Sequence, residues 1–258
     1  MQSSRTRQVN RTSTTDAIIL RNSRIGDIHK RVTMLTPDQG LLSAIAHGAY
    51  SRKGTLRGVT NPFCYGRCYL YTDPVKQSVK ITDLSVHEFF PGLRESITRF
   101  YSASLWAELL LKTFGGGGQS EPLFTLLLSA LRALDSAVDF SPVTIQFLWR
   151  YLETGGLQPE LDACAACGRR FPPSDHRYYD SRCAGFACSQ CTDPAICPAL
   201  SPGAAAYLAH SGGLEFSRAL QIGLNAAASR NARRVLYRIV QDVAENPLNT
   251  LRIGGSLL

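Results

Sequence analysis

Cys164-Ala-Ala-Cys167-Gly168 is answered, twenty residues later, by Cys188-Ser-Gln-Cys191. Two CxxC pairs at this separation match the pattern of a four-thiolate zinc site. Each pair can form a tight turn that aims two sulfurs at one ion, and two such turns complete a tetrahedron. Gly168 suits the first turn, because glycine readily takes the positive φ needed where a knuckle doubles back. The second pair, followed by Thr192, is less ideal. Disulfides or two chance pairs are the competing readings, and a redox CxxC is open to either pair alone. Four sulfurs set together at metal spacing argue for one ion. Four thiolates leave that ion no open position for water, so it is expected to be structural and not catalytic.

The chain has 258 residues, 44% hydrophobic and 19% charged, which is room for one large or two ordinary domains with a buried core. No apolar run approaches the ~20 residues that span a bilayer. The start, MQSSRTRQVNRTSTT, has arginines but no apolar segment of the secretory kind. Residues 1–14 are therefore expected to be a disordered basic arm on a cytoplasmic protein. In that setting the eight cysteines are expected to be reduced. Cys64 and Cys68 fall in a strand-like stretch and are expected as buried thiols, while Cys183 or Cys197 could stand in as a metal ligand.

Charge is unevenly placed. Residues 1–85 hold 13 Lys/Arg against 5 Asp/Glu, and the remaining 173 residues hold 15 against 15, so the whole excess of +8 lies in the first third. That asymmetry points to a polyanionic partner there, with plain solubility as the blander account.

From residue 15 to about 90 the pattern is short strands and turns: 16–20, 29–35, 41–46, 64–71 and 75–84. Thr36-Pro-Asp-Gln-Gly40 is a turn, with Pro37 setting φ. Five such strands suit a small barrel of the OB-fold kind. After Pro91 the period becomes helical over 94–114, 120–138, 142–155, 202–210 and 229–245. Gly115-Gly-Gly-Gly118 lacks the Lys-Ser/Thr of a phosphate-binding loop and is expected to be a flexible connector. The predicted architecture is α+β: an OB-fold β-barrel over 15–90, then an α-helical domain over 91–258 with a four-cysteine zinc module inserted at about 160–200.

No nucleophile, base or open metal position recurs at catalytic spacing, so no enzyme is expected. The zinc-deaminase pattern fails, because His87 directly precedes Glu88 and Ala187, not proline, precedes Cys188. The basic residues are the better candidates for function. Arg24, Lys30, Arg31, Arg52, Lys53 and Arg57 could line one barrel face and neutralise phosphates, giving salt-dependent affinity with little sequence preference. Tyr50, Tyr65, Tyr69 and Tyr71 could stack on unpaired bases, although alternate strand positions must point inward. In the last helix Arg230, Arg233, Arg234 and Arg238 recur at helical spacing opposite Leu236, Ile239, Val240 and Val243. Such a stripe is either an ordinary solvated face or a second docking surface for DNA or an acidic peptide.

With these residues in view, the chain resembles the bacterial recombination mediator RecO family from about Asp16 onward. The likeness rests on Ala17-Ile-Ile-Leu20-Arg21 leading to Ile25-Gly26-Asp27, then Val32-Thr-Met-Leu35-Thr36 with Gly40. It continues through Ala46-His47-Gly48-Ala49, Arg52-Lys53, Leu56 and Pro62-Phe63. Tyr151-Leu152, Gly156-Leu157, Pro159 and the two CxxC pairs extend it through the helical part. Each motif is loose, but their order and spacing together are specific. The chain departs from the family at its first fourteen residues, at Asp27 in place of Glu, and at Ala184-Gly185-Phe186 in place of paired glycines. The resemblance implies binding of single- and double-stranded DNA and annealing of complementary strands. It also implies partnership with RecR and with the acidic tail of single-strand DNA-binding protein, so that RecA can load. A zinc-ribbon regulator with sequence preference is the alternative. Zinc loss is expected to unfold residues 160–200 and leave DNA binding by the barrel mostly intact.

Overall fold

The computed structural model describes residues 11–52, 54–114 and 120–255. Most of the expected basic arm, Lys53 and the Gly115–Gly118 connector lie outside the described residues. Those described divide into two compact units, 11–90 with 120–124, and 91–114 with 125–255.

The first unit is a closed five-stranded barrel. Its strands are β1 (Thr12–Ile25), β2 (His29–Thr36), β3 (Gly40–Ala46), β4 (Tyr65–Thr72) and β5 (Val79–Glu88), with a short helix α1 (Leu56–Val59) before β4. The order around the barrel is β1-β2-β3-β5-β4, closed by antiparallel pairing of β1 with β4. Among these described strands the parallel contact is β3 with β5, through Ile45↔Lys80 and Ala46↔Ile81. This is the OB-fold arrangement that short alternating strands predicted. The barrel starts earlier than residue 15, since Thr12, Ser13 and Thr14 already pair with Tyr71, Leu70 and Tyr69. Threonine is at home on a half-exposed pleat, which is why the polar start continues the strand.

Period-two alternation sorts the barrel's side chains. Ala17, Ile19, Val32, Met34, Ala44, Ala46, Cys68, Leu70, Ile81 and Leu84 form its buried interior, joined by Cys64. A bulge between Ile19 and Arg21 shifts the β1–β2 register by one residue, so Leu20 has no cross-strand partner on β2.

The second unit is helical: α2 (Pro91–Glu95), α3 (Ile97–Thr113), the larger part of α4 (Glu121–Ser136), α5 (Ser141–Thr154), α6 (Pro202–Gly212), α7 (Phe216–Ala219), α8 (Ala226–Val243) and α9 (Asn249–Gly254). Its core is built on Trp106 of α3 stacked on Phe147 of α5 at 4.4 Å, with α8 presenting Ala232, Val235, Leu236, Ile239 and Val240. The helix expected over 94–114 is broken at Ser96, which is extended and accepts from the Arg99 N–H to cap α3. The last long helix is capped by Asn225, whose Oδ1 accepts from the Ala228 N–H at 2.8 Å, and not by Ser229, which is buried one turn inside. Between α5 and α6 lies a small sheet in the order β7-β6-β8: β6 (Arg177–Asp180), β7 (Gly185–Ala187) and β8 (Ala199–Leu200). One cysteine pair precedes β6, and the other lies between β7 and β8.

Candidate metal centre and basic surfaces

The first CxxC turn is closed by the Gly168 N–H donating to the Cys164 carbonyl at 2.8 Å, with Gly168 at φ +73. A side chain is disfavoured in that backbone region. The second turn is closed by the Cys191 N–H on the Cys188 carbonyl at 3.0 Å. An N–H from Ala165 to the Phe186 carbonyl at 2.8 Å ties the first turn to β7, which leads directly into the second. The four sulfurs end within 4.8 Å of one another. Bonds of ~2.3 Å to a tetrahedral ion would set sulfurs roughly 3.8 Å apart, so the donor set fits a metal ion. Cys164 and Cys188 are buried, Cys191 is half-buried and Cys167 is exposed.

The electrostatics point the same way. Burial opposes ionisation of Cys164, but N–H groups of Cys188, Cys167 and Ala166 outweigh it and bring its thiol down to about 6. Hydrogen bonding with Cys167 and Cys188 pushes Cys191 up to about 12. Four sulfurs this close cannot all ionise without a cation among them. None of the eight cysteines is in a disulfide, and neither Cys183 nor Cys197 joins the cluster. Cys183 Sγ donates to the Asp180 carbonyl at 3.5 Å, and Cys197 Sγ lies 3.1 Å from Thr192 Oγ1. Cys64 and Cys68 are buried in the barrel, and burial pushes Cys68 up to about 12.

The predicted basic residues separate into two kinds. On the barrel, Arg31, Arg52 and Arg57 are exposed. Arg24 is exposed too, but its guanidinium braces the β1–β2 turn through the Gly26 carbonyl at 3.1 Å and the Asp27 carbonyl at 2.6 Å. Lys30 is a correction. It shares the inward parity of Val32 and Met34 and is only 2% exposed. Its ammonium donates to the Arg57 carbonyl at 2.9 Å and to Asn61 Oδ1 at 3.0 Å, so it holds the α1 segment against the barrel. Burial, with help from Arg57, lowers its pKa.

Tyr50 has Arg24 and Lys30 over its ring, and Tyr65 packs on His87 and Phe124. Tyr71 is half-buried beneath Lys80, and Tyr69 is 40% exposed. On α8, Arg234 and Arg238 are exposed, whereas Arg233 is half-buried with its guanidinium 4.7 Å from the Phe140 ring centre. Arg233 lies at the edge of the helical stripe, between its exposed and buried sides. Arg182 is a feature that sequence alone did not single out. The Asp180 carboxylate grips it through its backbone N–H, Nε and Nη2 at 2.6–3.2 Å, and also accepts from Thr192 Oγ1 at 2.8 Å. One of four arginines between the two cysteine pairs, Arg182 carries no signal of that kind in the sequence.

A family model described as Recombination protein O N terminal matches residues 11–90, and one described as Recombination protein O C terminal matches residues 94–252. The chain belongs to the RecO family. Its relatives include proteins named DNA repair protein RecO. The one from Bacillus pumilus is 30% identical over 229 residues, 86% of this chain and 85% of the relative. The one from Anaeromyxobacter dehalogenans is 31% identical over 87% of this chain and 88% of its own length. That of Desulforudis audaxviator is 34% identical over 69% of this chain and 70% of its own. The two family matches meet where the barrel gives way to the helical unit, so both units described above are family features. Among the described residues, no helix is long and apolar enough to cross a membrane.

Proposed function

We propose that this chain is a non-enzymatic DNA repair and recombination mediator. It binds single- and double-stranded DNA, anneals complementary strands and helps load a recombinase on coated single strands. The observation that carries this reading is the set of exposed arginines on the barrel, Arg31, Arg52 and Arg57, whose side chains have no acidic partner among the described residues. Guanidinium groups left free in this way neutralise phosphates and release counterions, whatever the base sequence. Annealing follows from the same physics, since lowering the repulsion between two strands and concentrating them needs no turnover of a cofactor.

The four-cysteine cluster fits one structural Zn2+. It would be held by Cys164, Cys167, Cys188 and Cys191, and its contribution is to fold the 160–200 segment. In keeping with the family, the partners are RecR, the acidic tail of single-strand DNA-binding protein and, indirectly, RecA, in the cytoplasm at the nucleoid. The test is annealing of complementary strands coated with single-strand DNA-binding protein, at two salt concentrations. The chain should accelerate annealing, and the acceleration should fade as salt rises. If annealing is not accelerated and the chain does not bind DNA at low salt either, the mediator reading fails.

A further inference from the structure

A cleft of about 610 Å³ opens between the cysteine module and α8, inside the second unit. Tyr179 to Arg182 and Thr192 to Pro198 form one wall, and Arg234 and Arg238 form the other. Its three guanidiniums are held differently. Arg182 is aimed by the Asp180 carboxylate and keeps its side chain 77% exposed. Arg238 is braced by Asp242 at 3.3 Å and by Ser181 Oγ at 2.9 Å, while the Ser181 hydroxyl donates to Asp242. Arg234 makes no hydrogen bond or ion pair among the described residues and is exposed.

Two of the three nearby acids are paired with arginine, and the third, Asp193, is exposed and keeps its charge. Asp180 is buried and saturated by Arg182 and Thr192, Asp242 is taken by Arg238 and Ser181, and Asp193 Oδ1 accepts from the Ala195 N–H. A guanidinium has five N–H donors, so each braced arginine still presents unused ones to the cleft. Arginines braced in fixed orientation around a groove recognise phosphate bidentately. The large aromatic residue lining the cleft, Tyr179, is 3% exposed, so bases find no stacking platform there. The ligand is therefore gripped by its backbone.

A covalent path joins this site to the metal ligands. Thr192 follows Cys191, and its N–H donates to the Cys188 carbonyl at 3.3 Å. Its hydroxyl fixes the Asp180 carboxylate that aims Arg182. Thr192 thus ties the second CxxC turn, whose cysteines would hold the metal, to the Asp180 carboxylate that aims Arg182.

We propose that this cleft is a second nucleic-acid backbone site, separate from the barrel's arginines, in which Arg182, Arg234 and Arg238 hold phosphates and Thr192 is the positioning residue that couples Arg182 to the cysteine cluster. The proposal rests on the DNA-binding reading above.

The full chain is tested with a fluorescent thirty-nucleotide oligothymidine over a salt series. In wild type, the double variant Arg182→Gln/Arg234→Gln and Thr192→Val, metal content is measured by chelator release. About 0.7 of log–log salt slope is expected per phosphate contact on single strands, so the double variant should flatten the slope by roughly 1.4 and bind roughly tenfold more weakly at low salt. Thr192→Val should flatten it by roughly 0.7 with metal content unchanged, and stripping the metal, which unfolds the segment that carries Arg182, should flatten it by at least as much without abolishing binding. A wild type that binds while the double variant keeps its slope overturns the cleft and leaves the barrel reading standing. A wild type that binds no DNA at low salt removes both. A Thr192→Val slope equal to wild type, beside a flattened double variant, overturns the coupling. Loss of a decaglutamate peptide from the double variant with DNA binding intact assigns the cleft to an acidic peptide instead.

Discussion

A lysine sealed in a barrel mouth is costly unless its N–H donors find acceptors. Lys30 finds the Arg57 carbonyl and Asn61 Oδ1, both on the α1 segment. Its charge is used inside the protein, and its neighbour Arg31 on the outward parity is the residue available to a ligand. Replacing Lys30 with Met keeps its volume and apolar stem but orphans two acceptors, so stability should fall by about 1–3 kcal/mol in urea titration. The low-salt DNA affinity of the folded variant should fall less than that of Arg31→Gln. Unchanged stability with lost affinity would return Lys30 to the DNA surface. The sequence held the information needed to separate these neighbours. Lys30, Val32 and Met34 alternate, and that alternation places the lysine inward; adjacency to Arg31 is what suggested a shared basic patch.

At the scale of elements, α9 shows how a helix escapes a reading by pattern. It is six residues long, and its cap position, Leu248, has no side chain that can accept a hydrogen bond. The cap comes instead from α3, where Glu108 accepts the Asn249 and Thr250 N–H groups at 2.8 Å each and pairs with Lys112 at 3.0 Å. Close docking completes the arrangement, since a Cβ on Gly254 would meet the Tyr101 ring at 2.3 Å. Burial raises the Glu108 pKa, but these donors outweigh it and leave the pKa below the usual carboxylate value of 4.5. A depressed folded-state pKa stabilises above the unfolded value and loses that contribution as pH falls through the folded one. Glu108→Gln should therefore speed amide exchange at Asn249 and Thr250 at pH 7, and the difference from wild type should shrink as pH drops below 4.5. A difference that persists undiminished at pH 3 would contradict the carboxylate cap. The long elements were legible because five alternating strands and the core stripes of α3, α5 and α8 repeat their periods many times. Short elements such as α7, α9 and β8 have too few residues to show a period and exist through tertiary contacts.

For the whole molecule, two sequence features bear on the proposed function. The cysteine spacing foretold a cluster whose sulfurs lie within 4.8 Å, and the barrel that carries the charge excess exposes Arg31, Arg52 and Arg57. What sequence could not supply was commitment, meaning which cations are consumed internally. Arg24 braces a turn and Arg233 covers Phe140, whereas Arg31, Arg52 and Arg234 face outward. For Arg233 the distinction depends on a ring distant in the chain, and for Arg24 on how a local turn aims its carbonyls. The direct measurement is equilibrium binding of two single strands of unrelated sequence to the full chain across roughly 50–300 mM salt. The account predicts a linear log–log fall in affinity of the same slope for both sequences, flattened by roughly 0.7 for each of Arg31→Gln and Arg52→Gln. Affinity that ignores salt, or that differs steeply between the two sequences, would contradict it.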